Sequence, residues 1–213
     1  NPEPILNPVG ATVCSRNSSG IVFSVLGGRV AAPTYNILLI NMDPGLVAMP
    51  GNAIVGNGQS ANAISTDKFI NTTNAALTVV YDVVPVSGVG CEGTMNKISF
   101  TIDPEHVLDP NLDSPVCSDL PVGVTLVEAP GSVAAASYTI NSVNVPAGLI
   151  PGVGNAGPGM GQMADAIAND IFTNQTANPL DVIYTVVPVS AIGCIGQPVQ
   201  IAITINPEPI LSS

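Results

Sequence analysis

The stretch VVPVSGVGCEGT at Val83 to Thr94 returns as VVPVSAIGCIGQ at Val186 to Gln197, and the same offset of 103 residues runs through most of the chain. Shifting the sequence by that length superposes Cys14 on Cys117, Tyr35 on Tyr138, Phe69 on Phe172, Tyr81 on Tyr184 and Cys91 on Cys194 without a gap. Roughly half of the aligned positions are identical, which makes internal repetition the strongest constraint on the fold. NPEPIL occurs at Asn1 to Leu6 and again at Asn206 to Leu211, with DPEHVL at Asp103 to Leu108 between them. The repeat predicts one domain over 1–103, a second over 104–206, and the start of a third repeat or a tail over 207–213. The single length difference, one residue between Pro2–Cys14 and Pro104–Cys117, falls where a linker should vary.

Within each repeat the clearest local signal is alternation with a period of two. Leu77, Val79, Tyr81 and Val83 face one way and Thr78, Val80, Asp82 and Val84 the other, and Leu180 to Val187 repeats the pattern. Ile98, Phe100 and Ile102, with Ile201, Ile203 and Ile205 in the second copy, form the returning strand of a hairpin whose loop holds Cys91 or Cys194. Further strands are expected at Ile21 to Leu26 and Tyr35 to Met42, with Val124 to Glu128 and Tyr138 to Val145 in the second repeat. Gln59 to Thr66 and Gln162 to Asn169 could hold a helical turn, but are too short for an independent helix. GPGMGQ at Gly157 to Gln162 lacks the lysine of a phosphate loop and reads as a turn. Short alternating strands and frequent turns over about 100 residues predict an all-β protein of two tandem immunoglobulin-like β-sandwich domains with little helix.

Charge narrows the function classes. Four Lys and Arg against 15 Asp and Glu give a net charge of −11, leaving no basic surface for a nucleic acid or an anionic membrane. No apolar run reaches the length of a membrane-spanning helix.

The four cysteines fall into two equivalent pairs, each separated by 77 residues. Of the three pairings, Cys14 with Cys91 and Cys117 with Cys194 respects the repeat without crossing it. Such a bridge requires the first cysteine and the hairpin-loop cysteine to lie at the same end of the unit, within about 7 Å between Cα atoms. Free or buried thiols are the alternative. A zinc site is disfavoured, because the sulfurs are split between units and the lone His106 has no companion at ligand spacing. Disulfides place the chain in an oxidising, extracytoplasmic setting.

The combination of YDVVPVS or YTVVPVS, GCEG or GCIG, a strand closing in TIDPE or TINPEP, the preceding NTT or NQT and an upstream VCS resembles the PKD-like repeat of Bacteroidota surface proteins. Such repeats are strung in long arrays in giant adhesins exported by the type IX secretion system. The resemblance implies an immunoglobulin-like sandwich acting as stalk or adhesive module on the bacterial outer surface. The Trp-Asp-Phe-Gly-Asp-Gly segment of ordinary PKD domains is absent, so the relation to those is architectural.

Catalysis finds no support in the residues. One unduplicated histidine cannot serve a nucleophile in each repeat. The recurring carboxylates, Asp67 with Asp170 and Glu105 with Glu208, supply no acid and base pair within one unit and read as turn contacts or solvating groups. Asp109, Asn111 and Asp113 stand at D-x-N-x-D spacing, a candidate calcium loop lacking the glycine and distal glutamate of a complete one. Otherwise no cofactor is implied. Asn71 and Asn174 open Asn-x-Thr sequons, alongside an unmatched Asn17-Ser18-Ser19, and the duplicated pair is expected to cap a turn before the long strand. The leading expectation is a non-catalytic structural repeat of a surface adhesin whose partners are adjacent repeats. The alternatives are a module binding polysaccharide or protein, weakened by the absence of Trp, and accessory repeats of a large secreted enzyme.

Overall fold

The computed structural model describes residues 3–208, and all structural statements concern those residues. The chain divides into two units, 1–105 and 106–213. In the second, residues 209–213, and with them most of the segment read as a third repeat or tail, lie outside the described residues.

Unit 1 contains β1 (Gly10–Cys14), β2 (Thr34–Met42), β3 (Leu46–Ala48), β4 (Gly56–Gln59), β5 (Phe69–Asn71), β6 (Leu77–Val86) and β7 (Asn96–Asp103). Unit 2 repeats the order with β8 (Ser114–Cys117), β9 (Ser137–Asn144), β10 (Leu149–Pro151), β11 (Gly159–Gln162), β12 (Phe172–Asn174), β13 (Leu180–Val189) and β14 (Val199–Asn206). Each unit has a five-stranded sheet, β1-β7-β6-β2-β4 or β8-β14-β13-β9-β11, and a two-stranded sheet, β3-β5 or β10-β12. Among the described residues there is no helix, and the fold is an all-β pair of immunoglobulin-like sandwiches.

The alternation read from the sequence sets the inner face. Val79, Tyr81 and Val83 of β6 and Ile98, Phe100 and Ile102 of β7 are buried, as are Val182, Tyr184, Val186, Ile201, Ile203 and Ile205 in unit 2. Phe100 lies between Phe69, 5.7 Å away between ring centroids, and Tyr81, 6.1 Å away and stacked. Each of these large side chains contributes about 1.5–3 kcal/mol through burial.

Three local expectations are corrected. Ile21 to Leu26 and Val124 to Glu128 are extended but form no strand. Gly20 and Phe23 donate to the carbonyls of Ser65 and Ala61, so this layer hydrogen-bonds to turns, with an isolated bridge from Leu6 to Val25. The segments read as helical turns are chains of β-turns, in which Ala63, Ser65 and Asp67 donate to the carbonyls of Ser60, Asn62 and Ile64. Gly157 to Gln162 contains edge strand β11, whose register against β9 is broken between Gly159 and Gln162. Its glycines hid a strand that pairs through backbone alone.

The pairing of β1 sets the two ends of each unit. It joins β7 in parallel, from Gly10 opposite Ser99 to Cys14 opposite Asp103, and β8 joins β14 in the same sense up to Cys117 opposite Asn206. Each unit thus has an entrance end, holding the start of the unit and the β6–β7 or β13–β14 hairpin loop, and an exit end, where its first and last strands finish together.

Candidate functional site at the ends of each unit

At the entrance end, the Gly-Cys-x-Gly motif is a tight loop with two unlike glycines. Gly90 and Gly193 have φ of 83°, a left-handed conformation that glycine adopts without a Cβ penalty. Gly93 and Gly196 are needed for space, since a Cβ would sit 1.9 Å from the Pro4 carbonyl oxygen in unit 1 and 2.1 Å from that of His106 in unit 2. The Ser87 hydroxyl oxygen accepts the Cys91 N–H at 2.9 Å, and Ser190 does the same for Cys194 at 2.8 Å. The loop therefore fixes the cysteine backbone and packs against the start of its own unit.

At the exit end, Cys14 and Cys117 close the first strand of their units. Ser15 and Ser118 follow, each accepting the N–H of the duplicated asparagine, Asn71 at 3.0 Å and Asn174 at 2.9 Å. Asn71 donates through Nδ2 to the carbonyls of Ala75 and Ile102 and accepts from the N–H and hydroxyl of Thr73. Asn174 repeats this with Asn178, Ile205 and Thr176. Their side chains are buried, so they clasp the turn before the long strand as expected. In unit 1 the Arg16 guanidinium meets Glu105 at 2.9 Å, whereas the equivalent Asp119 of unit 2 accepts from the Thr173 hydroxyl.

The register overturns the expected pairing of the cysteines. From Cys14, level with Asp103, to the hairpin loop beyond Asn96 is the length of β7, eight residues and more than about 20 Å, whereas a disulfide needs Cα atoms about 4.4–6.8 Å apart. The same holds for Cys117 and Cys194 along β14. Accordingly Cys91 and Cys117 are free thiols, and neither the Cys14–Cys91 nor the Cys117–Cys194 bridge is present. Cys14 and Cys194 are disulfide-bonded.

The calcium candidates serve separate tasks. Asp109 Oδ1 accepts from the backbone N–H and the side-chain amide of Asn111, and Asp113 Oδ1 accepts from the Ala202 N–H at 2.7 Å. Among the described residues no three His, Cys, Asp or Glu side chains are grouped to hold an ion. His106 is buried, with Nδ1 3.1 Å from the Val133 carbonyl oxygen.

Asp67 and Asp170 are buried turn contacts. Asp67 accepts the Ala53 N–H at 2.8 Å and the Tyr81 hydroxyl at 2.6 Å, and Asp170 accepts from Ala156 and Tyr184 at 2.8 and 2.5 Å. Burial raises both carboxyl groups above the ordinary range against the lowering effect of these hydrogen bonds. Burial, then the neighbouring carboxylate, pushes the Tyr81 and Tyr184 phenols well above theirs. The sequence showed the recurrence of the aspartates but not their partners, 14 residues away.

A tandem, cysteine-bearing β-sandwich repeat is what this fold and these ends define. The PKD-like domain model matches residues 47–106 and 155–209, over half of the chain, and the chain belongs to the PKD-like domain family. No curated protein sequence matches it. Among solved structures it is similar to the fibronectin(III)-like modules of Clostridium thermocellum CbhA, with 10% identity, 99% of each chain covered and a TM-score of 0.27. It is also similar to the D00-D0 domain of intimin, with 12% identity, 93% of this chain and 98% of that one covered and a TM-score of 0.29. Chicken VE-cadherin EC1-2 matches with 10% identity, 94% and 98% coverage and a TM-score of 0.25.

Proposed function

We propose that the chain is a non-catalytic segment of an extracellular bacterial surface protein, in which PKD-like repeats follow one another as the stalk or spacer of an adhesin. The duplication of one complete unit carries this reading: core, buried asparagine clasp, buried Asp–Tyr pair and both cysteine positions recur together. Such duplication builds length, whereas an active site gains nothing from it. The disulfide-bonded cysteines support an oxidising location. The buried Asp–Tyr pairs serve the fold and have no access to a substrate.

More specifically, the motif set resembles the cell-surface gliding adhesin SprB, which favours export by the type IX secretion system in a member of the Bacteroidota and a part in gliding motility. The decisive observation is the parent gene together with surface exposure. Many further copies and loss of the protein on protease treatment of intact cells are expected, and a hydrolase domain with few copies would sink the stalk. A second reading, direct binding of surface polysaccharide or protein, draws on exposed apolar residues of unit 2, Met160 and Met163 on and next to edge strand β11 and Val153 in the connection before it. Binding of the two-unit chain to glycan arrays or intact cells would favour it.

A further inference from the structure

The two free thiols lie at opposite kinds of end, Cys91 in an entrance loop and Cys117 on an exit strand, and neither has a cysteine within reach in its own unit. Their repeat equivalents, Cys194 in an entrance loop and Cys14 on an exit strand, are disulfide-bonded. The same two positions thus occur in this protein in both oxidised and reduced form.

The surroundings of the free pair are complementary. Cys117, Ser118, Leu120, Pro207 and Glu208 line an open cleft of about 450 Å³ at the exit end of unit 2. Leu120 lends it an apolar wall and is 53% exposed. The entrance loop carries an apolar tip beside its cysteine, Val89 at 82% exposure, and the second copy keeps that character with Ile192. The Ser87 hydroxyl and the left-handed Gly90 hold this loop in one shape, so little ordering entropy is lost when it docks.

We propose that the exit cleft receives the entrance loop of a further copy of this chain and that Cys117 of one molecule forms a disulfide with Cys91 of the next, head to tail. This rests on the tandem-repeat reading above and adds a covalent link to it. With oxidised glutathione as acceptor, the Cys117 thiolate attacks one glutathione sulfur and releases one glutathione thiol. The Cys91 thiolate then attacks the Cys117 sulfur of the mixed disulfide and displaces the second. The two protein thiols lose two protons and two electrons, and one glutathione disulfide becomes two thiols.

The test mixes equal amounts of a 15N-labelled Cys91→Ser variant and an unlabelled Cys117→Ser variant in a glutathione redox buffer, and counts covalent dimers by non-reducing mass spectrometry, where the label separates the mixed dimer from both homodimers. Only the mixed dimer can join Cys117 to Cys91. Docking raises the effective concentration of that pair, so the mixed dimer should exceed each homodimer by roughly tenfold or more. Random thiol encounter gives about twofold, and that ratio, a lower one or the absence of dimers would overturn the proposal. Leu120→Asp on the Cys91→Ser partner should return the ratio to the random value, and an unchanged ratio would remove the cleft from the proposal. Repeat number in the parent gene and surface exposure on cells are measured separately, so failure of this link would leave the stalk reading standing.

Discussion

Asp67 shows how much one residue can carry in such a unit. Buried and held by Ala53 and Tyr81, it binds a proton more tightly in the folded state than in the unfolded chain. A raised carboxyl contributes stability that is full below the unfolded value near pH 4 and is lost as pH rises through the folded value. Asp67→Asn, which cannot ionise, should therefore gain relative to the parent as pH rises from about 4 to 7 in urea titrations, and a constant difference would refute the assignment. Tyr81→Phe removes the hydroxyl that donates to Asp67 Oδ2 and should cost about 1–3 kcal/mol, with Tyr184→Phe behaving alike. The cysteines offer the most direct check. Iodoacetamide should modify Cys91 and Cys117 before reduction and all four cysteines after it, whereas labelling of Cys14 and Cys194 without reductant would contradict their bonded state.

The hairpin loop is the element where motif and geometry meet most closely. Gly93→Ala or Gly196→Ala drives a methyl group into a backbone carbonyl and should lower stability by about 2 kcal/mol or more in thermal unfolding. Gly88→Ala has open space and no left-handed φ, and should be nearly neutral. The long strands β6 and β13 and their hairpin partners were legible because one buried face writes its period directly into Val79, Tyr81 and Val83. The segment from Ile21 to Leu26 has the same composition but bonds to turns, and composition does not say where a backbone finds its partners. The cysteine pairing failed for a related reason. Spacing is blind to whether β1 runs with or against β7, and the parallel choice carries Cys14 to the far end from Cys91. Had the pairing been antiparallel, the expected bridge would have been geometrically reasonable.

On the scale of the whole molecule, each unit has its own core and its own asparagine clasp. A fragment of residues 1–105 should fold alone, giving a β-type circular dichroism spectrum and one cooperative unfolding transition, and a non-cooperative melt would show that the unit depends on the rest of the chain. The net charge of −11 over 213 residues means that like charges repel throughout the compact state. The parallel closing pair has a further consequence, a mechanical one. A pull on the two termini of a unit drags β1 toward the entrance end and β7 toward the exit end, along the ladder and in opposite directions. The five residue pairs from Gly10–Ser99 to Cys14–Asp103 are then loaded in shear and must yield together, whereas a ladder loaded at one end peels apart bond by bond. A unit drawn in this way is built to bear tension.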